Sequence, residues 1–164
     1  VFRAENIDTH GGSIRIYISK DKNIEIEKNI KEMLKKEERF GIKDFKTYQN
    51  FAKKIYRIRK NVIKNLKILK KNKKNIIGYG APAKATTALN FFGISKEIDY
   101  IIEDNKLKHK KFIPGVKIPI YSKNKILEKK PLVLVLAWNF YDEIKKNNYN
   151  LSKDMISIKD LEND

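Results

Sequence analysis

A short apolar run and a glycine-rich turn follow each other in Asn75-Ile76-Ile77-Gly78-Tyr79-Gly80-Ala81-Pro82-Ala83-Lys84. The run predicts a buried strand that ends in glycines, and Pro82 is typical of the first position of a helix, here over residues 82–92. Gly78, Gly80 and Ala83 match the spacing G-x-G-x-x-A of phosphate-binding turns. In that pattern the first glycine makes the tight turn, the second admits a phosphate, and the third small residue lets the helix lie close to the strand. We therefore expect an anion at the start of this helix.

Strands and helices alternate through the rest of residues 75–160. We predict strands at 98–102, 116–121, 131–137 and 155–158, and helical stretches at 123–129 and 139–147. The run 131–137 is continuously apolar, as expected of a strand that is buried on both faces of a parallel sheet. The alternation predicts an α/β fold with a Rossmann-like, mostly parallel sheet flanked by helices.

A long charged segment, residues 22–74, precedes the glycine-rich turn and is nearly free of glycine and proline. Gly41 interrupts it, so we predict helices at about 23–38 and 44–73, with Asp44 as the N-cap of the second. Residues 1–20 contain a His-Gly-Gly-Ser turn followed by a strand. We interpret residues 1–164 as a single domain whose nucleotide-binding core is 75–160, and leave open whether 22–74 is a separate subdomain.

The charge of the chain at first indicates a nucleic-acid-binding protein. Its 164 residues include 37 Lys and Arg against 20 Asp and Glu, a formal net charge of +17. However, 32 of the 37 are lysine, and arginine is the better residue for reading bases and clamping phosphates, so specific nucleic-acid recognition is disfavoured. Any anionic ligand, a diphosphate included, is still attracted.

Other compositional features exclude further classes of site. The absence of cysteine excludes disulfides and thiolate-bound metals within this chain, and with two histidines we expect no metal site. No apolar run approaches the roughly 20 residues of a membrane span, so we expect a cytoplasmic protein with no membrane contact.

Polar residues follow two of the predicted strands at the carboxyl edge of the sheet. Glu103 and Asp104 stand 25 and 26 residues after Gly78, about where an acid that binds ribose is found in dinucleotide-binding folds. Trp138 and Asn139 directly follow the strand at 131–137. The tryptophan either stacks on a base or sugar or packs over the end of the sheet, and both interpretations stay open.

The two histidines have different surroundings in the sequence. His10 precedes Gly11 and Gly12, and its ordinary pKa near neutrality suits a general base. From the spacing alone, however, a histidine in a surface loop is the preferred interpretation. His109 stands among lysines, so we interpret it as a solvated loop residue.

Five segments together, in this order and spacing, resemble a known family. They are Thr9-His10-Gly11-Gly12-Ser13-Ile14-Arg15, then Gly78-Tyr79-Gly80-Ala81-Pro82-Ala83-Lys84 with Thr86-Thr87 and Leu89-Asn90, then Ile98-Asp99-Tyr100 with Asp104-Asn105, then Phe112-Ile113-Pro114-Gly115 with Ile118-Pro119-Ile120, and Leu136-Ala137-Trp138-Asn139-Phe140. They resemble the C-terminal domain of AdoMet-dependent sugar C-methyltransferases, which act on nucleotide-linked keto-deoxysugars. The resemblance covers essentially the whole chain.

The resemblance implies an enzyme of three parts: a cysteine-rich zinc-binding piece, a central AdoMet-binding domain and a Rossmann-like C-terminal domain. Without cysteine, and without an acidic, glycine-rich AdoMet loop at its start, this chain resembles the third part. It is then a fragment of a longer methyltransferase and inactive alone. AdoMet binds outside this chain, on another domain of the same polypeptide, and the nucleotide-diphosphate sugar lies between the two domains.

The resemblance also implies roles for single residues. The enzyme removes a proton from the carbon beside a ketone, and the enolate attacks the methyl group of AdoMet, so His10 becomes the candidate base or proton shuttle. The implied substrate-binding residues are Gly78, Tyr79, Gly80, Ala81 and Lys84 in the turn, and Asp104, Asn105, Trp138 and Asn139 at the edge.

Two alternatives remain from the residues alone. One is a non-catalytic, basic Rossmann-like module that binds a nucleotide or nucleic acid. The other is an NAD-dependent oxidoreductase, which rests only on Gly78, Gly80 and Ala83 and has no catalytic set to accompany it.

Overall fold

A computed structural model describes residues 1–72, 75–126, 131–151 and 153–163. The strands are β1 (Arg3–Ile7), β2 (Ser13–Tyr17), β3 (Ile76–Tyr79), β4 (Ile101–Ile102), β5 (Ile120–Tyr121), β6 (Leu132–Val135) and β7 (Met155–Ser157). The helices are α1 (Lys28–Phe40), α2 (Phe45–Asn72), α3 (Ala83–Phe92) and α4 (Tyr141–Asn147). Short 3₁₀ turns lie at Thr9–Gly11, Lys106–Lys108, Lys123–Lys125, Trp138–Phe140 and Ile158–Leu161. The chain divides into two compact units, Val1–Lys54 and Ile55–Asp164, with the division inside α2.

The N-terminal unit contains an antiparallel pair of strands, β1 and β2, in which Glu5 lies opposite Arg15. We did not predict β1, because its sequence Arg-Ala-Glu-Asn-Ile has no apolar alternation and it becomes a strand only by pairing with β2. The two predicted helices are confirmed, although the first begins later, at Lys28. Asp44 caps the second as expected, since its Oδ1 accepts a hydrogen bond from the N–H of Lys46 at 2.9 Å.

The C-terminal unit contains a five-stranded parallel sheet in the order β5-β4-β3-β6-β7. Numbered along the chain, this is the 3-2-1-4-5 order of a Rossmann-like fold, which confirms the predicted fold class. The predicted helical stretch at 123–129 is a 3₁₀ turn at Lys123–Lys125, and the last part of that stretch, 127–129, lies outside the described residues.

Helices cover both faces of this sheet. On one face, β3 and β6 pack through Ile76 and Leu134 against Val62 of α2 and Leu89 of α3. On the other face, residues such as Val135 pack against α4. Across the described ranges, no helix combines the length and apolar content that crossing a membrane requires.

Gly78 does not make the tight turn that its motif position predicts. It is a buried residue inside β3, where an added Cβ would lie 2.7 Å from Ile101 Cγ1 and 3.0 Å from Leu136 Cδ1. The turn itself is made at Gly80, whose φ of +86° lies in the left-handed region. Gly78 is therefore required by side-chain packing on the sheet. The prediction that it makes the turn is wrong, because the next glycine of the motif, Gly80, makes it.

The start of α3 also differs from the motif. Pro82 is the N-cap and α3 begins at Ala83, so Pro82 is one residue outside the helix that we placed it in. Ala83 is exposed, whereas Ala85 is fully buried. The small residue that brings the helix close to the sheet is thus Ala85 and not Ala83.

Candidate functional site

A cavity of about 480 Å³ opens at the carboxyl edge of the parallel sheet. It lies beside the ends of β3 and β6, the two strands at which the strand order reverses. Open α/β sheets bind their ligands at this position. The described residues that line it are Tyr79, Gly80, Pro82, Glu103, Asp104, Lys108, Lys123, Ala137, Phe140, Glu143, Ile144, Asn147 and Asn148.

Three polar side chains meet in this cavity from three neighbouring strands. Tyr79 ends β3, and its hydroxyl donates a hydrogen bond to Asp104 Oδ2 at 2.7 Å. Lys123, after β5, holds its Nζ 2.8 Å from Asp104 Oδ1 and 5.4 Å from the centroid of the Tyr79 ring. Parallel strands end on the same edge, so residues 19 to 44 positions apart in the sequence converge here. Asp104 is exposed and can accept further hydrogen bonds from a ligand.

The environment sets the charges of this group. Burial raises the pKa of the Tyr79 hydroxyl, which keeps it protonated as a donor. Burial also acts to raise the pKa of Asp104, but the hydrogen bonds from Lys123 and Tyr79 outweigh it and lower that pKa. Burial acts to lower the pKa of Lys123, yet its contacts with Asp104 and Tyr79 raise it. At neutral pH the cavity therefore contains a carboxylate, an ammonium and a neutral phenol.

Glu103 clamps the glycine-rich turn from the end of β4. Its Oε2 accepts a hydrogen bond from the N–H of Ala81 at 2.9 Å, and its Oε1 accepts one from the N–H of Asn105 at 3.0 Å. Lys108 Nζ lies 3.3 Å from the same Oε2 and donates to the carbonyl of Ala81 at 3.0 Å. The Glu103 side chain is only 12% exposed, so these bonds are shielded from water. The clamp fixes both backbone groups of Ala81.

We expect acid to weaken the fold through these carboxylates. Burial acts to raise the pKa of Glu103, but hydrogen bonds from Asn105, Ala81 and Lys108 outweigh it and lower the pKa. A group with a lowered folded pKa stabilises the fold above its unfolded pKa, near 4.3 for glutamate, and that contribution is lost as pH falls through the folded pKa. The unfolding temperature, followed by circular dichroism from about pH 6 to pH 3, should fall less steeply in Glu103→Gln than in the wild type. Equal slopes would contradict the assignment.

Three other predicted site residues lie outside this cavity. Lys84 and Trp138 line a second, apolar groove of about 390 Å³ together with Phe91 and Phe92 of α3, and Lys84 Nζ lies 6.0 Å from the Trp138 ring centroid. Asn139 is exposed and is not among the described residues that line either space. The structure thus brings Tyr79, Gly80 and Asp104 together and separates Lys84 and Trp138 from them.

The remaining three turn and edge predictions have structural roles. Ala81 is held by Glu103. Asn105 caps the turn Lys106–Lys108, because its Oδ1 accepts the N–H of Leu107 at 3.0 Å. Gly78 is buried in β3, behind the cavity surface.

His10 lies in the N-terminal unit, at the centre of the turn Thr9–Gly11. It is exposed, and its φ of +56° places a non-glycine residue in the left-handed region. Gly11 and Gly12 follow with φ of +86° and +111°, and the turn is closed by the N–H of Gly12 on the carbonyl of Thr9 at 3.0 Å. Lys110 and Lys117 have the same conformation, with φ of +59° and +57°, so a positive φ alone does not assign a role to His10.

The sequence did not identify several residues at the carboxyl edge, among them Glu143 and Asn147 of α4. Lys108 and Lys123 are hidden by the general excess of lysine, and only their places after β4 and β5 distinguish them. His109 is not a solvated residue as predicted: it is partly buried, and its Nε2 lies 2.7 Å from the carbonyl of Glu103. Since a carbonyl only accepts, Nε2 carries the proton. Among the described residues, no three His, Asp or Glu side chains gather in a way that could hold a metal ion.

Comparison with known proteins gives the family. Residues 8–156 match the family described as "C-methyltransferase C-terminal domain". The chain is also 34% identical over 143 residues to the C-methyltransferase NovU of Streptomyces niveus, an alignment that covers 85% of this chain and 34% of NovU. The chain therefore spans about a third of the length of this relative. The match, the strand order and the glycine-rich turn agree with the resemblance seen in the sequence, and the chain belongs to the family of C-methyltransferase C-terminal domains.

Proposed function

We propose that this chain is the nucleotide-sugar-binding domain of an AdoMet-dependent C-methyltransferase that methylates the carbon next to the ketone of a nucleotide-linked deoxysugar. The cavity at the carboxyl edge, with Tyr79, Asp104 and Lys123 in it, is the observation that carries the proposal. Membership of the C-methyltransferase family supports the reaction class.

The cavity offers groups that suit the uncharged parts of such a ligand, its base and its sugar. Its volume of about 480 Å³ lies within the usual range of small-molecule sites. Phe140 is 56% exposed and offers an aromatic face to a planar base. Asp104 offers carboxylate oxygens to sugar hydroxyls, and the amide of Asn147 offers a donor and an acceptor to the edge of a base.

In this proposal, His10 takes the proton from the carbon next to the ketone, and the carbanion formed accepts the methyl group. AdoMet, bound on another domain of the same polypeptide, would supply that methyl group and leave as the neutral thioether, so the isolated chain is inactive. The aligned residues cover only 34% of NovU, which is consistent with additional domains in the whole enzyme. The proposal includes a cytoplasmic location.

Calorimetric titration of the chain with a thymidine-diphosphate keto-deoxysugar at physiological salt tests the binding. We expect one molecule bound per chain, and Asp104→Asn should weaken binding about 10-fold because a hydrogen bond to a charged group is lost. Asp99→Asn is the matched control: Asp99 pairs with Lys70 and does not line the cavity. Its affinity should stay within about twofold of the wild type, the size of change expected for a distant charge.

Two results would contradict this proposal. Loss of binding in Lys84→Ala with full binding in Asp104→Asn would assign the ligand to the apolar groove beside α3. Binding of nucleic acid that weakens steeply with salt, without binding of the nucleotide-sugar, would favour the non-catalytic module.

A further inference from the structure

We propose that Glu103 sets the charge of the group that the cavity accepts: its carboxylate fills the anion position of the glycine-rich turn, so the diphosphate of a nucleotide-sugar binds away from that turn. This inference rests on the proposed function and makes Glu103 a specificity-determining residue. It assigns to the cavity the uncharged, hydroxyl-bearing part of the ligand.

At positions 80–82 of the turn, no backbone donor is left for a ligand. The N–H of Gly80 donates to the carbonyl of Ile102 at 2.8 Å, and the N–H of Ala81 donates to Glu103 Oε2 at 2.9 Å. Pro82 has no N–H. Phosphate-binding turns work by pointing successive free N–H groups at the ligand. Here three successive positions offer none to a phosphate.

The cations of the cavity are also engaged with carboxylates. Lys108 pairs with Glu103, and Lys123 pairs with Asp104. With Glu143, the part of the lining that the structure describes contains three carboxylates and two lysines. A phosphate oxygen at the N–H of Ala81 would have to take the place of the Glu103 oxygen or stand against it. A phosphate oxygen and a carboxylate oxygen in contact repel each other strongly where water is excluded. The Glu103 carboxylate therefore disfavours an anion at the N–H of Ala81.

The same groups favour hydroxyls. A carboxylate accepts hydrogen bonds from hydroxyl groups, and Asp104 is exposed to the cavity. An uncharged sugar ring meets none of the repulsion that a diphosphate meets. The whole chain has a formal net charge of +17, so a diphosphate is still attracted to its surface outside the turn.

The amide of Ala81 reports directly on this arrangement. We would titrate the ¹⁵N-labelled chain with inorganic pyrophosphate at about 0.15 M salt, where surface charges are screened beyond about 8 Å. In the wild type, the Ala81 amide resonance should not move. In Glu103→Ala, which frees the N–H of Ala81 and the ammonium of Lys108, it should move and pyrophosphate should bind at least about 10-fold more tightly.

Glu143→Ala is the matched control, since it removes one negative charge from the same cavity at a residue outside the clamp. Pyrophosphate affinity should change by less than about threefold in this variant. If Glu103→Ala does not fold, Glu103→Gln replaces it, with Glu143→Gln as its control. In Glu103→Gln the Ala81 resonance should still move. The gain in pyrophosphate affinity should be smaller than that expected for Glu103→Ala, because the glutamine amide remains a weak acceptor. Melting curves establish that each variant is folded.

Two outcomes of the pyrophosphate titration would contradict the role proposed for Glu103. Movement of the Ala81 resonance with pyrophosphate in the wild type would overturn the proposal, as would equal gains in the Glu103 and Glu143 variants. Failure of the proposed function is seen separately: the wild type would not bind the thymidine-diphosphate keto-deoxysugar, while the pyrophosphate response of Ala81 in the variants would still appear.

Discussion

His10→Asn, made in the whole enzyme that contains this domain, should lower the rate of methyl transfer by about 100- to 10,000-fold, the usual contribution of a general base. Asparagine cannot take the proton from carbon, but it tolerates positive φ better than most residues, so it should preserve the backbone at φ +56°. Affinity for the nucleotide-sugar should change by less than about threefold, because His10 is not among the described residues that line the cavity. The measurements are kcat and the dissociation constant.

A second readout separates proton removal from methyl transfer. In deuterated water, the wild-type enzyme should exchange the hydrogen on the carbon beside the ketone, and His10→Asn should abolish that exchange. Added imidazole should restore part of it. Unchanged turnover in His10→Asn would show that His10 is a loop residue without a catalytic role. It would favour the interpretation that this domain binds the ligand without catalysing the reaction.

Gly115→Ala should produce the largest loss of stability, a decrease of about 3 kcal/mol in the free energy of unfolding. Gly115 has a φ of +83°, and an added Cβ would lie 1.9 Å from Asn90 Oδ1. Asn90 cannot simply move away, because its Nδ2 donates to the carbonyls of Thr86 at 2.8 Å and Pro114 at 2.9 Å. Denaturant unfolding measures the free energy, and the melting temperature should fall by about 10 °C.

Gly93→Ala is the matched control for backbone strain alone. Gly93 also has a left-handed φ, +70°, but among the described residues an added Cβ there meets only Arg59 Nη2, at an ordinary 3.6 Å. Gly93→Ala should lower the free energy of unfolding by about 1 kcal/mol. In addition, Asn90→Ala should make Gly115→Ala less costly than in the wild-type background, because the clash disappears. Equal losses in Gly93→Ala and Gly115→Ala would show that the contact with Asn90 is unimportant.

The carboxyl edge could be located from the sequence because its signals are local. The apolar run at 131–137 and the turn after β3 are each recognisable from about ten consecutive residues, and alternating elements leave few topologies. The acids at 103 and 104 follow from the same logic, since they come directly after a strand. The roles of Gly78 and Ala83 were mispredicted, because a motif specifies spacing and not the packing around each position.

Contacts within the edge depend on the fold. Tyr79, Asp104 and Lys123 are far apart in the chain and meet only because β3, β4 and β5 lie side by side in parallel register. Lys84 and Trp138 are as prominent in the sequence, yet they line the other groove.

The order of residues alone thus establishes a parallel α/β fold with a ligand edge, since hydrophobic periodicity and turn chemistry act over short stretches. Tertiary structure alone decides that Glu103 occupies the N–H of Ala81, that Gly78 serves packing, and that His109 bonds to the Glu103 carbonyl. The reason is physical: hydrogen bonds and steric contacts depend on distances of a few tenths of an ångström between residues that are brought together only when the strands pair and the helices pack on them.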